Sequence, residues 1–525
     1  MTTNYDAIIV GGGHNGLTCG AYLAKAGLKT LVLERRHIVG GAAATEEFHP
    51  GFRASTFSYI MGHMHPKVIR ELELERHGLE HLKVPEVVHP LDGDDSIIWS
   101  TDVKVAQSEI ARFSRKDAEV YPRFFEDMSR TIQIMRRLLL ETPIDPGDRS
   151  LAGLKDLARF AWRYRGVHRE FYEIFDSLTM SAHDFLSRWF ESEEVKVLFG
   201  YWAAIGFFKG VHTPGTAYSI MFHLCGENGL GFSRGGMGAI SEAIAASGRN
   251  HGMEILTGAA VEKIVTRDGR ATGVVTTDGR EFGARLVASN VAAPVTFGRM
   301  VPRDQLPEEF MAAIDGWHGN GEAFKINVAV DRLPVYRGFT PGQAGVEYPS
   351  YAHVCPSIDY MERAFDDSRR GWYSERPFVS PIVPSYIDNT LAPEGKHVVL
   401  LSGGHAPYEL KGGDWARERD NVVKNVFAVM DEFAPGFSDS VLGYSLYLPT
   451  DFEEVLGMPR GHELHGDVSL DQLFFKRPAP HFANYRSPVR GLYQCGSSTH
   501  PGGSVSAVPG HNAAREILKD HKRLK

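Results

Sequence analysis

A short β-branched run, residues 6–10 (Asp-Ala-Ile-Ile-Val), stops at Gly11-Gly12-Gly13-His14-Asn15-Gly16 and continues as a helix-like stretch over 17–26. A second apolar run, 31–33, follows Gly27 and ends at Glu34. Strand, glycine turn, helix, strand and acid in this order read as the first βαβ unit of a dinucleotide-binding fold. Each residue has a mechanical reason. Gly11 permits the tight turn, Gly13 lets the backbone approach a pyrophosphate, and Gly16 allows the helix to pack closely on the strand. The helix N-terminus turns its partial positive charge toward the phosphates. Glu34, eighteen positions past Gly16, accepts hydrogen bonds from ribose hydroxyls and would repel a 2′-phosphate.

The rest of the chain limits the partners of such a unit. Its 525 residues leave room for two to four domains. A net charge of -8 provides no bulk positive field to gather nucleic acid. Cys19, Cys225, Cys355 and Cys495 are far apart and form no C-x-x-C pair, which argues against a disulfide scaffold, a zinc ribbon or a dithiol centre. A reducing compartment, with the cytoplasm as default, is the expectation. The N-terminus enters a strand within six residues and lacks the basic-then-apolar pattern of a secretory signal. The longest apolar run, 197–208, spans twelve residues, short of the ~20 needed to cross a bilayer.

Periodicity divides the chain further. Residues 107–222 show helical spacing, with helices predicted over 121–140 and 151–175. A helix over 239–250 precedes three strand-like runs separated by Asp268-Gly269 and Asp278-Gly279, the pattern of a three-stranded meander. Residues 300–480 alternate strand-like runs (324–330, 398–402) with turns and one clear helix, 415–433, as in a mixed α/β lobe. A strand over 491–495, a loop and a helix over 511–519 close the chain.

Three further segments carry a family resemblance. Glu34-Arg35 is followed by Gly40-Gly41 and Thr45; Ser233 to Gly238 precedes the meander, which Ser289-Asn290 closes; and residues 492–503 (Leu-Tyr-Gln-Cys-Gly-Ser-Ser-Thr-His-Pro-Gly-Gly) lead to Gly510-His511-Asn512-Ala513-Ala514. Together they resemble the FAD-binding elements of the flavin amine oxidase and phytoene desaturase superfamily. Residues 384–397 and 465–474 with Arg477-Pro478 resemble the branch containing pyridine nucleotide-disulfide oxidoreductase domain-containing protein 2.

The resemblance implies a two-lobed α/β flavoprotein. Its Rossmann-like FAD-binding domain is discontinuous (1–70, 225–298, 481–525), and a mixed α/β substrate domain with a helical insertion takes 71–224 and 299–480. It places Gly11, Gly13, His14, Asn15, Gly16, Glu34, Arg35, Gly40, Gly41, Ala42, Thr45, Val261, Asn290, Gly496, Gly502, Gly503 and Val505 at the FAD. Ala42 stands where many members carry arginine. His14 and Cys495 lie beside the cofactor and read as a loop imidazole and a packed thiol rather than covalent anchors.

The implied reaction is dehydrogenation of an apolar isoprenoid-like or alicyclic molecule by hydride transfer to flavin N5, with oxygen or a quinone as electron acceptor. An amine or alcohol oxidase and a flavin-binding regulatory protein with little turnover are the alternatives. His500, Tyr386 and His405 are the candidate catalytic residues. No second dinucleotide fingerprint is visible, so no tight nicotinamide site is expected. His63 and His65 lack nearby acidic or thiolate partners, so no metal is expected. The run 197–208 is a core helix or a tunnel wall. Arg159, Arg163, Arg165 and Arg169, interleaved with Phe160, Trp162 and Tyr164, make a solvated basic helix or a peripheral membrane contact.

Overall fold

The computed structural model describes residues 2–84, 86–226 and 229–524. Strand β1 (Thr2–Val10) leads through the glycine turn into α1 (His14–Lys25) and β2 (Thr30–Leu33). Its Ile8, Ile9 and Val10 are all buried, as expected of a parallel strand covered on both faces. The helical block includes α2 (Arg115–Leu139), α3 (Leu151–Arg163), α4 (Arg169–Thr179), α5 (Glu193–Ala204) and α6 (Ala217–Leu224). Then come α7 (Gly238–Asn250), β3 (Glu254–Leu256), β4 (Val261–Arg267), β5 (Arg270–Thr276) and β6 (Glu281–Ser289). A second sheet contains β7 (Phe324–Val330), β8 (Val379–Ile382), β9 (His397–Gly403) and β10 (Val441–Tyr447), with α8 (Trp415–Phe433) between the last two. Strand β11 (Leu492–Gln494) and α9 (Val508–Leu524) return to the first sheet.

That first sheet has seven strands in the order β4-β5-β6-β1-β2-β3, with β11 also paired to β6. Strand β1 runs parallel to β2 and β6, with Ile9 opposite Val32 and Ala288. The expected meander is present as the antiparallel pairs β4-β5 and β5-β6. Its last strand extends past the hairpin to pair in parallel with β1 and β11, joining the meander to the nucleotide sheet. On one face α1 packs on α7 and α9, burying Leu17, Leu23, Ile244 and Ile517. Each such side chain contributes about 1.5–3 kcal/mol. The second sheet is antiparallel, in the order β8-β9-β7-β10.

Several helix boundaries differ from expectation: α1 starts at His14 rather than 17, and α2 starts at Arg115 rather than 121 because the Ser114 side chain accepts the Asp117 N–H and caps the helix there. The helix read over 151–175 is two helices, since the chain turns at 164–168 around Gly166, a residue that weakens helices. The closing helix starts at Val508 rather than 511, because Pro509 is compatible with a first helical turn.

Candidate active site

A cavity of about 520 Å³ opens at the C-terminal ends of β1 and β2, where ligands bind in open parallel sheets. Its first end is built by the glycine turn. Gly11 leaves β1 at φ +94, and a Cβ at Gly13 would fall 2.8 Å from Asn290 Nδ2, so only glycine keeps the turn against the loop after β6. His14 and Asn15, the first residues of α1, line the cavity. The helix has no side-chain cap and no acidic residue in its first turn, so its N-terminal dipole is left for an anion.

Glu34 faces the same space. Its Oε2 accepts the Gly12 N–H at 2.7 Å and its Oε1 accepts the Arg36 N–H at 2.8 Å, which fixes the carboxylate and leaves lone pairs toward the cavity. Arg35, Gly40, Gly41, Ala42, Val261, Asn290 and Val505 also line it. His14 Nε2 lies 3.1 Å from the Ser504 carbonyl oxygen, and burial lowers the imidazole pKa to about 4, so it is neutral.

Five other expected cofactor residues lie behind this wall. A Cβ at Gly16 would sit 2.1 Å from the Gly11 carbonyl oxygen, so Gly16 serves helix packing. Thr45 Oγ1 accepts the Gly238 N–H at 2.9 Å. Gly496 abuts the Asn290 carbonyl, Gly502 abuts Arg477, and Gly503 abuts Leu464.

The three candidate catalytic residues lie outside the cavity. His500 Nε2 is 2.9 Å from the Leu138 carbonyl oxygen near the end of α2. Tyr386 is exposed and packs its ring 4.7 Å from that of Tyr348. His405 is buried, with Nδ1 2.8 Å from Glu322 Oε2 and its ring against Phe365 and Phe378. Cys495 is buried in the sheet core, away from the cavity wall.

The other end of the cavity comes from residues far along the chain. Phe57, Tyr59, Ile60, Trp202, Ile205, Phe222, Tyr351 and Leu464 form an apolar wall, joined by His63, His223, Glu463 and His465. Thus Trp202 and Ile205 of the run 197–208 reach the cavity, while Val197, Leu198 and Phe199 pack in the core. Tyr59 and Glu463 also border a small side chamber with Lys325. Lys325 sits on β7 in an unbroken buried strand. Its Nζ donates to the Ser55 carbonyl and lies 5.6 Å from the Tyr59 ring centre. Burial pushes the Glu463 carboxyl up to about 7 despite the attraction of Lys325, and burial holds the Lys325 amine well below its usual range.

Arg477 supports both ends. It is fully buried, and its guanidinium donates to the carbonyls of Ser497 (2.9 Å) and Leu464 (2.6 Å), two cavity-lining residues, and to those of Gln472 and Asp467. Its guanidinium carbon stands 4.9 Å from the Trp317 ring centre, and burial lowers its pKa to about 10.

No sequence motif marks Arg36, Glu463 or Lys325, and Arg477 stands out only as part of the Arg477-Pro478 motif. A lysine inside the apolar run Phe-Lys-Ile-Asn-Val-Ala-Val was the one available signal. Among the described residues, no three or more His, Cys, Asp or Glu side chains group as metal ligands. No helix among them is long and apolar enough to cross a membrane.

The site accepts a dinucleotide. Gly13 has no room for a side chain, the α1 N-terminus is uncapped, and the buried Asn15 Oδ1 and Arg36 Nη1 lack partners. A mixed sheet carrying this cradle at its parallel strands, with an aromatic chamber beyond it, fits a two-lobed FAD-dependent oxidoreductase. Residues 16–518 match the family described as flavin containing amine oxidoreductase, and the chain belongs to that family.

The chain is 39% identical to pyridine nucleotide-disulfide oxidoreductase domain-containing protein 2 of Rattus norvegicus, over 100% of this chain and 95% of that protein. It is 26% identical to one of the limonene dehydrogenase subunits of Castellaniella defragrans, covering 98% of this chain and 94% of that one. In fold it is similar to an oxidoreductase from Methanosarcina mazei, with a TM-score of 0.61, 17% identity and coverage of 98% and 100%.

Proposed function

We propose that this enzyme dehydrogenates an apolar isoprenoid-like or alicyclic small molecule, with oxygen or a quinone as the final electron acceptor. The observation that carries this reading is one continuous cavity. Its cradle end is lined by Gly13 and Glu34, its far end by Trp202, Ile205, Phe222 and Tyr351, and Glu463 borders that far end. The similarity to the limonene dehydrogenase protein supports a substrate of this kind.

In this reading Gly11, Gly13, His14, Asn15 and Glu34 hold the pyrophosphate and ribose, while Val261 and Asn290 border the same end. When bound, FAD supplies the two-electron acceptor. The aromatic wall orients the substrate and excludes water. Glu463 accepts the proton lost from the carbon next to the one that gives up hydride, which balances removal of two hydrogens as a hydride and a proton. A carboxyl raised toward neutrality suits that task. Lys325, next to it in the side chamber, stabilises the carboxylate before transfer.

Oxidation of an amine is the second reading, and the same residue favours it: an ionised Glu463 would pair with a substrate ammonium group. Anaerobic titration of the flavin absorbance separates the two. Bleaching by cyclic terpenes and not by amines is expected, whereas bleaching by amines with release of hydrogen peroxide would replace the dehydrogenase reading. A flavin reduced by none of the compounds would point to a flavin-binding protein with little turnover. Acid precipitation should release free yellow FAD, about one per chain.

A further inference from the structure

Helix α3 is strongly two-sided, yet none of its residues is buried. At about 100° per residue, Leu151, Leu154, Leu157 and Trp162 fall on one arc, while Lys155, Arg159 and Arg163 share the flank beside it. The apolar arc faces solvent, with Leu151 88% and Trp162 70% exposed. Of the large hydrophobic side chains exposed on this protein, seven lie between residues 151 and 175 and six in all the remaining described chain. Such a concentration marks an interaction surface rather than scattered exposure.

Charge selects the partner. Along α3 and the turn after it, residues 151–166, the chain carries three arginines and one lysine against one aspartate, with Arg159 paired to Asp156 and Arg163 to Glu141, within a protein whose net charge is -8. The Arg165 guanidinium lies 4.1 Å from the Trp162 ring centre, placing a cation at the edge of the apolar arc. A second copy of the chain would bring like-charged flanks together, and interface cores between proteins are depleted in such charge. An anionic bilayer accepts both features, since apolar side chains enter the acyl boundary while long basic side chains reach the phosphates.

We propose that α3 is a membrane-surface helix that docks the protein on anionic phospholipid bilayers, lying in the plane of the headgroups. At 13 residues it is about 20 Å long. Arg163 pairs with Glu141, just beyond α2, and anchors the helix to the block. Helix α4 follows with Phe171, Tyr172 and Phe175 exposed, and it packs on α6, whose Phe222 and His223 line the cavity.

Flotation of the flavin-loaded full chain with vesicles tests this. Vesicles of phosphatidylcholine mixed with equal phosphatidylglycerol should carry the protein upward, pure phosphatidylcholine much less, and added salt should weaken the binding. The triple variant Leu154→Glu, Leu157→Glu and Trp162→Glu alters only exposed positions and should reduce the bound fraction about tenfold or more, with flavin content unchanged. Lys155→Glu with Arg159→Glu should remove the preference for anionic lipid. Protein that stays at the bottom with the anionic vesicles overturns the proposal. So does a lipid-free dimer, seen by sedimentation, that the triple variant dissociates, because the occupant would then be a second copy.

Discussion

Glu34 Oε2 accepts the backbone N–H of Gly12 at 2.7 Å, so the acid that ends β2 is tied directly to the glycine turn that ends β1. The motif's acid and its turn are thus joined into one unit by the fold itself.

Replacing Glu34 should loosen the cofactor. Glu34→Ala removes a charged acceptor and leaves the Gly12 and Arg36 N–H groups without this partner. Hydrogen bonds to a charged group are worth about 1.5–3 kcal/mol, which corresponds to at least tenfold weaker FAD binding. Fluorescence of flavin released on dilution measures it. Glu34→Gln, which keeps one acceptor oxygen, should fall between the two, and equal retention by all three proteins would remove Glu34 from the cradle.

Glu463 should set the pH dependence. A base must be unprotonated, so the rate of flavin reduction should rise with pH through about 7. Glu463→Gln should lower that rate about a hundredfold or more and flatten the profile. The stability sign is opposite to that of a salt-bridged acid. The folded-state pKa lies above the ordinary 4.5, so the stability linked to its bound proton is full below 4.5 and is lost as pH rises through about 7. The glutamine variant should therefore be no less stable than the parent at pH 8. A variant that loses activity only by unfolding would contradict the assignment.

Arg477 holds backbone, and its loss should damage folding and the cofactor together. Arg477→Met leaves the carbonyls of Ser497, Leu464, Gln472 and Asp467 without this donor inside the protein. Each unsatisfied buried group costs roughly 1–3 kcal/mol. We expect a sharply lower melting temperature and substoichiometric flavin. Arg477→Lys, with a single ammonium in place of a planar fork, should rescue only part of this. A methionine variant with normal melting and flavin content would refute the clamp.

His500 should behave as a structural residue. Its ring meets the Leu138 carbonyl oxygen, and burial lowers its pKa to about 4. His500→Ala should cost about 1–3 kcal/mol of stability while leaving the flavin reduction rate, measured per bound flavin, within a few-fold. A large loss of rate with FAD still bound would restore it as a catalytic candidate.

The parts of the site readable in advance share a physical basis. Gly11, Gly13 and Glu34 act through backbone turns and strand ends within a short stretch, and residue type at fixed spacing is enough to read them. Gly16 and Thr45 belong to the same motifs, but they pack behind the cavity, because a motif records what the turn requires and not which face meets the ligand. For His500, Tyr386 and His405 the sequence offers only a suitable residue type close to a motif. What surrounds them was set by α2, Tyr348 and Glu322, all remote in the chain.

By itself, the sequence determined the dinucleotide-binding βαβ unit and its turn glycines, since these follow from local dihedral freedom and helix-end electrostatics, while the flavoprotein class was carried by the resemblance of whole motifs to a known family. Only the tertiary structure decided that Glu463 and Lys325, 138 positions apart, share one chamber, that Arg477 is a buried clamp, and that α3 is left with its apolar arc in solvent. Burial, pKa and exposure depend on the neighbours that folding brings from distant segments, and no local pattern encodes them.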